Sequence, residues 1–148
     1  MRGLARGLLI AVSILNGVAG MVCGVLFIAG PDGHLMQAGA LLPIIERFPL
    51  ASVFFRDFMW IGVVMLLGLG LPNSIATVML LRKSENQYRA TLAAAVLLAL
   101  WCGFELIFML NALAVVYFIV GVISILSSTM LLKTVPAGAD VASYQRAS

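Results

Sequence analysis

Between Thr91 and Leu132 the chain runs for 42 residues with a single charged side chain, Glu105. At about 1.5 Å per residue, a helix of that length overshoots a hydrocarbon core of about 30 Å, yet it is long enough for two crossings joined by a tight turn. The stretch therefore reads as a helical hairpin that reverses near Asn111 and leaves Glu105 toward the end of its first arm. Two more apolar runs, Leu8 to Ile28 and Phe58 to Leu81, bring the crossings to four. The expected spans are 8–29, 58–81, 88–109 and 111–132, all within a transmembrane domain over 1–135. Residues 136–148 hold Gly and Ser but few large apolar residues and are expected to form a flexible cytoplasmic tail.

A soluble alternative fails on composition. Hydrophobic residues make up 63% of the chain and charged residues 10%, which is more apolar surface than a 148-residue soluble fold can hide. The formal charge of +3 does not mark a nucleic-acid surface, because the basic residues sit beside the apolar runs. Arg2, Arg6, Arg82, Lys83, Arg89 and Lys133 all fall on one side of a four-crossing chain, and Asp32, Glu46, Arg47, Arg56 and Asp57 fall on the other. By the positive-inside rule, both termini are expected in the cytoplasm. The first run follows two arginines, as a signal peptide does, but it is longer than a signal core and no small-x-small cleavage site closes it. A retained first helix is the expectation.

The first span carries Asn16, Gly17, Gly20 and Gly24 on one strip at helical spacing, and it ends at Gly30-Pro31-Asp32-Gly33, a turn sequence. Glycines four apart let a second backbone approach closely, and van der Waals contact is the main force between helices in lipid. The segment Gly33 to Phe55 has apolar residues at irregular helix-like intervals, interrupted by Pro43, Pro49 and Glu46-Arg47. A short helix lying in the outer interface suits it better than a crossing. In the second span, Gly68-Leu69-Gly70-Leu71-Pro72 predicts a kink or opened turn, since Pro72 cannot donate to the carbonyl of Gly68.

Two sets of polar residues stand out. Asn16, Asn73 and Ser124 each lie eight or nine residues from a cytoplasmic helix end, so they share a layer at a depth of about 12 to 14 Å, where they are expected to form an interhelical clasp. Glu105 lies 16 residues beyond Arg89, at the level where Asp57 begins the second span, with Arg56 and Arg47 on the same side and Trp101 one turn back. Two readings remain open for that carboxylate: a salt bridge to Arg56 or Arg47, or a ligand site with Asp57 and Trp101. Cys23 and Cys102 form no CxxC or ligand cluster, and His34 has no second ligand beside it, so no metal or other cofactor is expected. No nucleophile elbow, HExxH or phosphate loop is present, and an enzyme is the least favoured class.

The combination of Pro31-Asp32-Gly33, Phe55-x-Asp57-Phe58 with Gly62, and Gly70-Leu71-Pro72-Asn73 resembles a group of small bacterial four-helix integral membrane proteins of uncharacterised activity, over roughly 17–82. The resemblance implies the four-span architecture and a bacterial inner-membrane setting, and no site residue. The fold expected is an all-α antiparallel four-transmembrane-helix bundle with a short outer interfacial helix. Its leading function is a non-enzymatic accessory or self-associating membrane component in contact with lipids and membrane-protein partners. The alternative is an oligomeric transporter or a small-ligand or lipid binder built on Glu105 and the kinked second helix.

Overall fold

A computed structural model describes residues 2–47, 56–108 and 112–134. Four long helices account for most of them. They are α1 (Arg2–Ala29), α2 (Met59–Leu81), α3 (Gln87–Phe108) and α4 (Ala112–Lys133), and each is long and apolar enough to cross a membrane. They form a ring in which α1 packs on α2, α2 on α3, α3 on α4 and α4 back on α1, with α1 and α2 the most extensively paired.

The bundle is turned inside out relative to a soluble one. Ser13, Asn16, Asn73, Thr91, Ser124 and Ser128 are buried, while Leu15, Val22, Leu67, Leu100, Ile119 and Met130 are exposed. A surface so apolar is stable only against hydrocarbon, so the molecule is a multi-pass membrane protein. Polar groups collect inside because lipid tails offer them no hydrogen-bond partner.

The closest approach is between α1 and α2. A Cβ placed on Gly20 would lie 2.5 Å from the Gly70 nitrogen, one on Gly24 would lie 2.8 Å from the Leu66 nitrogen, and one on Gly62 would lie 2.8 Å from the Gly24 oxygen. Gly17 continues the same seam against Ser74. The glycine strip of the first span is therefore consumed within the chain, where it brings two backbones into direct contact.

At this seam α2 departs from α-helical geometry. Met65–Gly70 forms a π turn in which the Leu71 N–H reaches back to the Leu66 carbonyl. Pro72 follows immediately, and its missing N–H is the local cause of the weakened helix anticipated from the sequence. The opened turn offers its neighbours a backbone with few side-chain obstacles.

At the end of the bundle that holds Arg6, the residues Leu9, Leu80, Tyr88 and Leu131 pack together, one from each helix. The Arg6 guanidinium donates to the Leu80 carbonyl at 2.6 Å, which satisfies a terminal acceptor of α2 and explains why α1 begins at Arg2, ahead of the expected start near Leu8. Beyond α2, Lys83 takes the left-handed conformation (φ 51°), with Ser84 N–H donating to the Met79 carbonyl and Lys83 N–H to that of Leu80, a Schellman ending.

At the outer end, the expected turn is present. Gly33 has φ 79°, the Pro31 carbonyl accepts from the Phe58 N–H, and a side chain on Gly33 would collide with the Phe58 ring. The short outer helix is Leu42–Ile45, preceded by 3₁₀ turns at His34–Met36 and Gly39–Leu41. It is shorter than the apolar spacing implied because Gln37, at φ 52°, breaks the path between the turns. His34 is exposed, and its Nδ1 pairs with Asp32 Oδ1. That contact and the His34 backbone N–H hold the Asp32 carboxyl below its ordinary range. The hairpin reversal near Asn111 and the tail over 136–148 lie outside the described residues.

Candidate functional site: a cavity in the outer half of the bundle

The ring of helices closes tightly at its inner end and less so farther out. Phe27 of α1 stacks on Phe58 at the start of α2, with ring centroids 4.9 Å apart. Within α3, Trp101 stacks on Phe104 at 5.9 Å. These large rings line a cavity of about 470 Å³, reached by all four helices and by Leu41 and Ile44 of the outer segment. A volume of that order suits a small organic ligand.

The cavity is polar at two levels. Asn16 of α1 marks its inner level, together with Leu69 and Leu98, which pack against each other. Glu105 of α3 lies seven residues beyond Leu98, about 10 Å along the axis. Cys23, Cys102 and Tyr117 lie on the wall between, and both cysteines are free thiols. Among the described residues, no lysine or arginine lines the space.

Glu105 is half-buried, with the Trp101 indole one turn back on the same helix, near enough to offer its one donor to the carboxylate. Arg47 and Arg56 are exposed, and neither lies within ion-pair distance of Glu105. The carboxylate of Asp57 accepts from the Met59 N–H at 2.9 Å in a local turn just before α2, and Asp57 is not among the residues lining the cavity. Of the outer set singled out in the sequence, the structure brings together Glu105 and Trp101, while Asp57, Arg56 and Arg47 stand apart from them.

The three members of the polar layer are all buried, yet they do different things. The Asn73 amide donates to the Leu69 carbonyl of its own helix at 2.8 Å, so the π turn takes up its hydrogen bond. Asn16 Nδ2 and Ser124 Oγ are buried without a partner. Of the three, Asn16 alone lines the cavity. Ser128 Oγ is similarly orphaned, whereas Thr129 bonds back to the Ile125 carbonyl, as a membrane-helix threonine commonly does.

Phe27, Phe58 and Tyr117 carried no signal as site residues in the sequence, where aromatic side chains in apolar runs look like any other packing residue. What places them at one site is the glycine seam, which sets the register of α1 on α2 and brings Phe27 level with Phe58.

No family model, curated protein or solved structure matches this chain.

Proposed function

We propose that this chain is a small-ligand-binding protein of the bacterial cytoplasmic membrane, with both termini cytoplasmic and its ligand held in the outer-half cavity. The observation that carries the reading is that a carboxylate and an unpartnered buried amide line the same cavity. Each group is costly in hydrocarbon, and each becomes favourable when a ligand supplies its partner. A cavity walled mainly by apolar and aromatic side chains with a few polar groups at fixed places is also the usual chemistry of a small-molecule site. The π turn adds support, because Met65 and Leu69 within it line the same space and such turns often mark functional positions.

The self-associating or accessory reading has less behind it. Its motivation was the small-residue ridges, and Gly17, Gly20 and Gly24 pack on α2 while Gly121 packs on Ala99 of α3. Transport is one use of a ligand cavity, and with four spans it would call for two or more copies to line a complete pathway.

The test is fluorescence of Trp101 in the Trp60→Phe chain, reconstituted in lipid nanodiscs and titrated with small cationic, neutral and anionic amphiphiles. A saturable change that disappears when Cys23→Phe fills the cavity is expected. Purely linear responses to every amphiphile, identical in the filled variant, would refute the reading.

A further inference from the structure

We propose that the ligand is a lipophilic monocation, with its charged centre at Glu105 beside the rings of Trp101 and Phe104 and its apolar body extending inward toward Asn16. The assignment rests on the ligand-binding reading above and makes its chemistry specific. Three observations converge on it.

The first is charge. Among the described residues, Glu105 lines the cavity, no basic side chain does, and no ion pair within 4.0 Å involves it. A carboxylate with no other charge beside it among those residues selects for one positive charge, because a neutral guest leaves it unpaired and an anion is repelled. The second is the surrounding surface. Trp101 and Phe104 come from the same helix as Glu105, and Phe27, Phe58 and Tyr117 complete an aromatic lining. Ring faces attract cations whose charge is spread over carbon, and they also accept the apolar groups such ions carry. The third is Asn16, only 4% exposed, whose Nδ2 has no acceptor and which lines the inner level of the cavity. It offers a hydrogen bond to an ether or carbonyl oxygen on a guest about 10 Å long, measured along α3 from Leu98 to Glu105.

A route in from the bilayer is present as well. A second hollow of about 390 Å³ lies between α2 and α3, lined by the exposed residues Val64, Leu97 and Leu100. It shares Leu69, Trp101 and Phe104 with the cavity, so these side chains form the partition between the two spaces. Gly68, on the π turn, leaves room at this point, its nearest neighbour being Val64 at 3.7 Å from a would-be Cβ. A guest dissolved in lipid reaches the cavity by displacing that partition.

The experiment is equilibrium dialysis of tetraphenylphosphonium against the full chain in phosphatidylcholine nanodiscs, with tetraphenylborate, of the same shape and opposite charge, as control and empty nanodiscs subtracted. Saturable binding of the cation, non-saturable uptake of the anion, and weakening of the cation by about tenfold or more in Glu105→Gln are expected. Trp101→Phe, which keeps a ring but loses the indole donor, weakens it severalfold. Should Glu105→Gln fail to fold, Trp101→Phe and Glu105→Asp decide, and unchanged affinity in both overturns the assignment. Equal saturable binding of both ions, or cation binding that survives Glu105→Gln, overturns the assignment and leaves the ligand-binding reading standing. If neither ion binds saturably and no amphiphile in the Trp101 titration does either, both fall together.

Discussion

Replacing Gly20 with alanine isolates the contact on which the architecture turns. The added methyl would sit 2.5 Å from the Gly70 nitrogen, 2.8 Å from its Cα and 3.0 Å from the Met65 carbonyl oxygen. Ordinary contact begins near 3.4 Å, so α1 and α2 must separate by close to 0.9 Å at this level, and backbone atoms on both sides leave no rotamer to relieve it. Overpacking of this kind costs roughly 1–3 kcal/mol, which outweighs the roughly 0.5–1 kcal/mol that alanine gains over glycine in a helix. Gly68→Ala is the matched control. Its nearest neighbour is 3.7 Å away, in ordinary contact, so the propensity gain stands alone and the variant is neutral or stabilised. Reversible unfolding of both variants in mixed micelles gives the comparison. Equal stabilities for the two, or a more stable Gly20→Ala, would refute the seam as the closest helix contact.

Asn16→Leu in the ligand-free chain is expected to be neutral or stabilising by up to about 1 kcal/mol, because it removes a buried donor without a partner, and a loss above that in the same unfolding assay would restore the interhelical clasp. Asp32 should titrate below its ordinary value of 3.8, followed by carboxyl chemical shift, and His34→Ala should return it toward that value. Since the folded value lies under the unfolded one, the contact favours the turn above the unfolded pKa and the benefit fades as pH falls through the folded one. An Asp32 shift that ignores His34→Ala would remove that origin.

Much of the architecture is legible in the chain because membranes impose few choices. The near-absence of charge over 91–132, the basic flanks and the turn at Gly30-Pro31-Asp32-Gly33 fix four helices and their order with no reference to partners. Gly17, Gly20 and Gly24 announce a close crossing, and Pro72 announces a broken helix, although neither says that the two meet. The site is harder to read for a physical reason. Depth counting places residues along the membrane normal but not around each helix, so Asn16, Asn73 and Ser124 share a level while only Asn16 faces the cavity. The same limit applies at the outer end, where Asp57, Arg56 and Glu105 are close in depth. Asp57 is committed to the Met59 N–H, Arg56 points to the exterior, and Glu105 turns inward with Trp101.

The measurement bearing most directly on the central claim, that Glu105 serves the cavity and not an ion pair, is a double-mutant cycle of Glu105→Gln with Arg56→Ala, repeated with Arg47→Ala. Unfolding free energies of the single and double variants in the absence of ligand give the coupling. With neither arginine within ion-pair distance of the carboxylate, both couplings should lie within about 0.5 kcal/mol of zero. A coupling above about 1.5 kcal/mol to either arginine, the magnitude of a charge-assisted bond, would return Glu105 to a structural role and contradict the account.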